Sequence, residues 1–246
     1  MSNNPNAEFC RVLVLRLAEL EADRARVLRH VSHELKTPLA ALREGVALLR
    51  EEVLGPLTSE QREVASILEH NTHALQRQIE ELLNYHATVL DVARVQRRSV
   101  VMRSLLEAVV AEQRLQLQAR DLRVVIDGGG EATQLDPDRM RVALGNLLSN
   151  AIAFSPIGGK IELAASVRDN LLVIDCIDQG PGVAEADAER IFDPFVQGSR
   201  RPAVSQQGSG VGLSIVYEVA VAQGGRVCLV PSAQGAHFRM ELPHEQ

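Results

Sequence analysis

Between residues 28 and 53, apolar side chains recur at Leu28, Val31, Leu35, Leu39, Leu42, Val46, Leu49 and Val53. Steps of three and four describe one stripe of a helix, close to the heptad spacing. The stripe ends at GPLTSEQ, residues 55–61. Gly55 suits a helix C-terminus, Pro56 cannot continue the helix, and Thr58 followed by Gln61 is a capping-box signal for a new start. A second helix is predicted from about Ser59 into the nineties, with Val64, Ile67, Leu68, Leu75, Ile79, Leu82, Leu83 and Val89 on its apolar side. Two long helices joined by a short turn form an antiparallel hairpin, which by itself leaves one stripe of each helix wet. Pairing two hairpins into a four-helix bundle covers those stripes, so residues 1–97 are expected to form a homodimer.

The period changes after residue 97. A short strand and a helix are predicted over Val100–Gln118. A β-branched run, Leu122–Ile126, leads into the turn Asp127-Gly128-Gly129-Gly130. Pro137–Ala153 reads as a helix, with Asp136 as N-cap and Pro137 in its first turn. Strands follow at Lys160–Val167 and Leu171–Asp178, then a helix from near Gly210 and strands near Arg226–Val230 and Ala236–Leu242. Mixed strands and helices of this kind make an α/β sandwich.

Composition narrows the function. Of 246 residues 46% are hydrophobic and 24% charged, the balance of a folded chain rather than a disordered one. The formal charge is -6 and neither half is basic, which argues against nucleic acid as partner. Trp is absent and aromatics are 3%, too few for stacking platforms. Cys10, Cys176 and Cys228 lie far apart without a CxxC pair, so reduced thiols in the cytoplasm are expected rather than disulfides or zinc. No apolar run approaches the roughly 18–20 residues that cross a bilayer, and no signal-peptide pattern opens the chain.

One histidine on the first helix stands apart. His33 is two residues from both Val31 and Leu35, about 200° around the helix from the apolar stripe, and so faces solvent. Glu34 adjoins it, Thr37 is one turn on, and Pro38 sits where a helix interior loses about 3 kcal/mol to proline. A neutral imidazole is a competent nucleophile near pH 7, and a carboxylate that takes its other ring proton assists attack. The bland alternative is an ordinary surface histidine. His70 and His73 are one turn apart but have no third metal ligand in view.

In the second half, Asn146 and Asn150 share one helical face, where amide oxygens can hold Mg²⁺. Asp178 ends an apolar strand, a costly place for a carboxylate unless it meets a donor such as an adenine amine. Gly180 and Gly182 after it allow close backbone approach to a base. Gly208, Gly210 and Gly212 precede a helix, whose first N–H groups suit phosphate. Taken singly, the asparagines also read as caps and the glycines as turns.

In order, however, these segments resemble a known set of boxes. HVSHELKTPLAAL is similar to the H-box of bacterial sensor histidine kinases, NLLSNAIAFSP to their N-box, and DQGPGV to their first glycine box. IFDPFVQG resembles their F-box and GSGVGL their second glycine box. The stretch REGVALL…GPLTSEQREV is similar to the GlrK/QseE-like subgroup. The resemblance implies three segments: 1–25 the end of a HAMP-type signalling helix, 26–97 the dimerisation and phosphoacceptor domain, and 98–246 an ATP-binding domain of the GHKL type.

By that resemblance His33 is the phosphoacceptor, Glu34 its acid/base partner and Thr37 the residue that positions water for dephosphorylating a response regulator. Asn146 and Asn150 hold Mg²⁺–ATP, Asp178 reads adenine, and Gly180 and Gly182 shape the base pocket. Phe192 and Phe195 anchor a lid over residues 197–207, and Gly208, Gly210, Gly212 and Leu213 line the phosphates. The family often carries a basic residue three positions past Asn150; here it is Ala153, and Arg200 and Arg201 in the lid are expected to compensate. The resemblance further implies an aspartate of a response regulator as phosphate recipient, and a cytoplasmic core belonging to an inner-membrane sensor. The competing readings are a GHKL-type ATPase or serine kinase, and a pseudokinase scaffold.

Overall fold

The structure is a computed structural model that describes residues 35, 37–53, 55–91, 95–200 and 210–244. Within α2 the side chains of residues 77, 78 and 80–91 fall outside the description. The chain separates into two compact units that divide between Leu90 and Asp91.

The first unit is a helical hairpin of α1 (residues 37–50) and α2 (Ser59–Asp91). The turn is built as the sequence requires. Gly55 adopts φ +120°, the Thr58 N–H donates to Gln61 Oε1 at 2.9 Å, and the Gln61 N–H returns to Thr58 Oγ1 at 3.2 Å. Arg62 reinforces it from α2, pairing with Glu52 at 2.9 Å. Exposed bonds from Arg43 to Gln76 and from Arg50 to Glu69 bridge the two antiparallel helices.

The apolar stripe of α1 divides in two. Leu39 and Val46, seven apart, are buried, as are Ala65 and Ile79 of α2. Leu35, Leu42, Leu49 and Val53 stay exposed, with Leu42 at 59%, and so do Val64, Ile67, Leu68 and Leu75. Within α1 the buried Leu39 and Val46 share one heptad position and the exposed Leu42 and Leu49 another; Val53 lies in the turn, and apolar side chains remain open on both helices.

The second unit begins with β1 (Arg98–Val101) and α3 (Met102–Glu112), then α4 (Arg114–Ala119), β2 (Arg123–Gly128), β3 (Ala132–Leu135) and α5 (Pro137–Phe154). It continues with β4 (Lys160–Arg168), β5 (Leu171–Ile177), α6 (Gly212–Ala222), β6 (Arg226–Val230) and β7 (His237–Pro243). Five strands form one sheet in the order β2-β4-β5-β7-β6, parallel between β2 and β4 and antiparallel elsewhere. Alternation along β4 and β7 turns Ile161, Leu163, Phe238, Met240 and Leu242 inward. With the buried Met102, Leu106, Met140, Leu144, Leu147, Leu148, Val216 and Val219 of α3, α5 and α6 they make the core of a sheet covered by a helical layer.

Most element positions expected for this half agree with the structure. Two features differ. Ala132–Leu135 is a strand, β3, paired antiparallel with β1, and Gln113 interrupts the helix predicted up to Gln118. Neither four-residue strand has enough length for periodicity to show. Asp136 is the N-cap of α5, accepting the Arg139 N–H at 3.2 Å. Cys176 and Cys228 are free thiols. Among the described residues, no helix is long and apolar enough to cross a membrane.

Candidate functional site

Helix α5 runs from Asp136 to a C-terminus held by Arg120. That guanidinium donates to the carbonyls of Ile152, Ala153 (3.1 Å) and Ser155 (2.7 Å), occupying acceptors that a helix end leaves without intrahelical partners. Gln113, at the α3–α4 break, donates to the Gly145 carbonyl at 2.7 Å. The helix carrying Asn146 and Asn150 is therefore fixed at its middle and at its end.

Asn146 donates its amide N–H to the Val142 carbonyl at 2.8 Å, which leaves its oxygen directed away from its own helix. That oxygen lies 3.0 Å from where a Cβ on Gly212 would sit, so a side chain at 212 would crowd it. The two half-buried residues join the asparagine face of α5 to the first turn of α6. Asn150 is half-buried one turn along, and no hydrogen bond holds its amide among the described residues.

Asp178 follows β5 and is only 5% exposed. Its Oδ1 accepts the Gly180 N–H at 2.7 Å and the Ala236 N–H at 3.1 Å. Its Oδ2 has no partner among the described residues. Burial raises the carboxyl above the usual range, partly offset by the two backbone donors. Such an acceptor, half satisfied and desolvated, fits an incoming amine donor.

Glycines shape its surroundings. A Cβ on Gly180 would meet the Phe154 carbonyl oxygen at 2.8 Å, so the loop after β5 packs on the end of α5. Gly182 (φ +75°) approaches the Gly235 carbonyl oxygen, at 2.9 Å from a Cβ placed there. Gly235 and Ala236 were missed in the sequence. Only an isolated glycine before a short strand signals them, because their partner is 58 residues away.

Phe195 is half exposed and adopts φ +65°, a left-handed conformation uncommon outside glycine. Its N–H donates to the Gly210 carbonyl at 3.0 Å, and Gly210 (φ +77°) has no room for a Cβ against Val196. These contacts close the base of the segment between them. Phe192 packs edge-on to Phe238, centroids 6.2 Å apart, and lies 6.5 Å from Tyr217. Ser199 donates from its N–H and hydroxyl to Asp187, each at 2.7 Å, and Arg200 donates to the Pro181 carbonyl beside Gly180 and Gly182.

Asn146, Asn150, Asp178, Gly180, Gly182, Phe195, Arg200, Gly210, Gly212 and the half-buried Leu213 thus all belong to the second unit. Thr37 is an exposed residue of α1. His33, Glu34, Arg201 and Gly208 lie outside the described residues, as do residues 1–25. His70 and His73 are exposed on α2, and no group of three metal-ligating side chains occurs among the described residues.

A helical hairpin followed by an α/β unit with these boxes defines a histidine phosphotransfer hairpin joined to a GHKL-type ATPase domain. Two family descriptions match accordingly: "His Kinase A (phospho-acceptor) domain" over residues 23–86, and "Histidine kinase-, DNA gyrase B-, and HSP90-like ATPase" over residues 135–246. The chain is 40% identical over 229 residues to sensor histidine kinase GlrK of Escherichia coli (strain K12), covering 93% of this chain and 48% of that protein. The same values hold for sensor histidine kinase QseE of Escherichia coli O157:H7. Full-length ShkA, solved in complex with AMPPNP, superposes with a TM-score of 0.66 at 28% identity, over 89% of this chain and 46% of ShkA. The chain belongs to the bacterial sensor histidine kinases, in a GlrK/QseE-like subgroup. It spans about half the length of those curated relatives.

Proposed function

We propose that this chain is a histidine kinase core that phosphorylates His33 from ATP and passes the phosphoryl group to an aspartate of a response regulator. The observation that carries the reading is the meeting of Asn146 with Gly212, in one unit with the buried, half-satisfied Asp178. ATP supplies the phosphoryl group, and Mg²⁺ neutralises phosphate charge.

The residues present fit that substrate. Asn146 and Asn150 offer amide oxygens on one face of α5 for Mg²⁺ and phosphate. Asp178 accepts a hydrogen bond from the adenine amine. Gly180 and Gly182 keep the base pocket open, and Gly208, Gly210, Gly212 and Leu213 present backbone N–H groups to the phosphates. Phe195 anchors the lid. Arg200 and Arg201 replace the basic residue that Ala153 lacks, Arg200 starting from the Pro181 carbonyl.

At the phosphoacceptor, a ring nitrogen of His33 attacks the γ-phosphorus; the N–P bond forms as the bond to the ADP oxygen breaks. Glu34 takes the other ring proton. Thr37 positions water for hydrolysis of the phosphorylated regulator. The open apolar stripes of α1 and α2 support a homodimeric four-helix bundle. We place residues 1–25 in a HAMP-type helix, 26–97 in the dimerisation and phosphoacceptor domain, and 98–246 in the ATP-binding domain. The signal enters through a sensor region at the inner membrane, with the core on its cytoplasmic side.

Incubation with γ-³²P-ATP tests the reading. Label that is lost in acid, kept in base and absent from His33→Ala is expected, with ATP binding intact in that variant. Acid-stable label identifies a serine kinase instead, and turnover without label identifies an ATPase. Failure of wild type to bind ATP identifies a scaffold.

A further inference from the structure

The chain enters the ATP-binding unit through Gln96, Arg97 and Arg98, and all three are bonded to it. The Gln96 N–H donates to Asp136 Oδ2 at 2.9 Å. The Arg97 guanidinium donates to the Gln223 carbonyl at 3.2 Å, and Arg98 pairs with Asp138 at 3.2 Å. Arg98 then opens β1, paired residue for residue with β3, whose last residue Leu135 directly precedes Asp136.

Asp136 is the centre of this arrangement. It is 4% exposed, and its carboxylate accepts the Arg139 N–H and Nε–H as well as the Gln96 N–H. Burial opposes its charge, but the donors from Gln96 and Arg139 outweigh burial and hold the carboxyl below its usual range. The buried Gln223 side chain brackets the Asp136 backbone, accepting from its N–H at 3.4 Å and donating to its carbonyl at 3.3 Å. A buried carboxylate capping a helix needs only the local N–H donors. The additional bonds to Gln96 and Gln223, 40 and 87 residues away, serve something more than capping.

The two helices so joined are those that carry the candidate nucleotide groups. Asp136 caps the start of α5 and Gln223 the end of α6, while Asn146 in the middle of α5 meets Gly212 at the start of α6. The helices therefore run antiparallel, and ten residues separate the clamp from the site, roughly 15 Å of helix.

We propose that Asp136 is a positioning residue that makes Gln96–Arg98 a fixed part of the ATP-binding unit and couples this entering segment, through α5 and α6, to the nucleotide groups where Asn146 meets Gly212. The coupling rests on the nucleotide reading above, whereas the clamp itself does not. Because coupling is reciprocal, nucleotide must protect the entering segment by the factor by which loosening that segment changes nucleotide affinity.

Hydrogen exchange on the full chain separates the two claims. Gln96→Pro removes the donor to Asp136, and Arg97→Ala removes the bond to Gln223, leaving Asp136 and its N-cap in place. Without nucleotide, both are expected to speed amide exchange at residues 223–225 and 139–140 at least fivefold, with β4 and β5 as slow as in wild type. Unchanged exchange in Arg97→Ala overturns the clamp, even if Gln96→Pro unfolds. With MgATP, wild-type residues 96–98 are expected to exchange at least threefold more slowly, and Arg97→Ala to bind MgATP at least threefold more weakly. ATP binding with neither effect overturns the coupling. Absence of ATP binding in wild type overturns both the coupling and the nucleotide reading, and leaves the clamp to be judged by the nucleotide-free exchange.

Discussion

Gly235 lies so close to Asp178 that a Cβ at position 235 would fall 1.8 Å from the Asp178 carbonyl oxygen. Gly235 also adopts φ +73°, where a non-glycine residue pays about 1–2 kcal/mol. Gly235→Ala is therefore expected to lose more than that, and to lose ATP binding, because backbone and not a flexible side chain must move. Gly158→Ala is the control. It has φ +74° but nothing within 4 Å, so it should lose only about 1–2 kcal/mol and keep ATP binding. Urea unfolding and nucleotide titration of the pair read both effects.

Asp178→Asn keeps an oxygen for the Gly180 and Ala236 N–H groups and removes the charge. Because burial raises this carboxyl, its contribution to stability is full below about pH 3.9 and is lost as pH rises through the higher folded value. The nucleotide-free variant should then melt above wild type at pH 7. Its ATP affinity should fall roughly 10–100-fold, since a hydrogen bond to a charged group contributes about 1.5–3 kcal/mol. Melting with and without ATP should reverse the order of the two proteins.

Asp175 behaves oppositely. Burial opposes its charge, but hydrogen bonds from Arg239 (2.7 and 3.2 Å) and His237 (2.6 Å) prevail and lower its pKa. Its stabilisation is present above about pH 3.9 and is lost as pH falls through the lowered folded value. Asp175→Asn should be less stable than wild type at pH 7 by about 1–3 kcal/mol, with the gap closing below pH 4. Denaturant midpoints from pH 2 to 7 check this.

Leu42 and Ile67 are 59% and 53% exposed on the hairpin. Wild type should scatter light as twice the 26.9 kDa chain mass, and the double variant Leu42→Glu, Ile67→Glu as a single chain with its helicity kept. Placing two carboxylates at a dimer seam costs far more than placing them on an open helix surface.

The hairpin turn was legible because each of its signals is local. Gly55, Pro56, Thr58 and Gln61 act within one helical turn of each other, and the predicted reciprocal cap is the one observed. The same holds for Asp136 and Pro137 at the start of α5, and for β4 and β7, whose alternation spans enough residues to show. The division of the α1 stripe was not legible: Leu39 and Leu42 are the same residue type at neighbouring seam positions, yet only Leu39 is buried by its own chain.

By itself, the sequence determined the two kinds of unit, the order of the boxes and the residue types able to meet phosphate, base and metal, because periodicity, caps and side-chain chemistry are properties of short stretches. Only the tertiary structure decided that Asn146 abuts Gly212, that Gly235 and Ala236 complete the Asp178 site, and that Gln96 and Gln223 converge on Asp136. Those relationships are set by sheet order and helix packing, which bring together residues 40 to 87 positions apart, a separation across which no local pattern carries information.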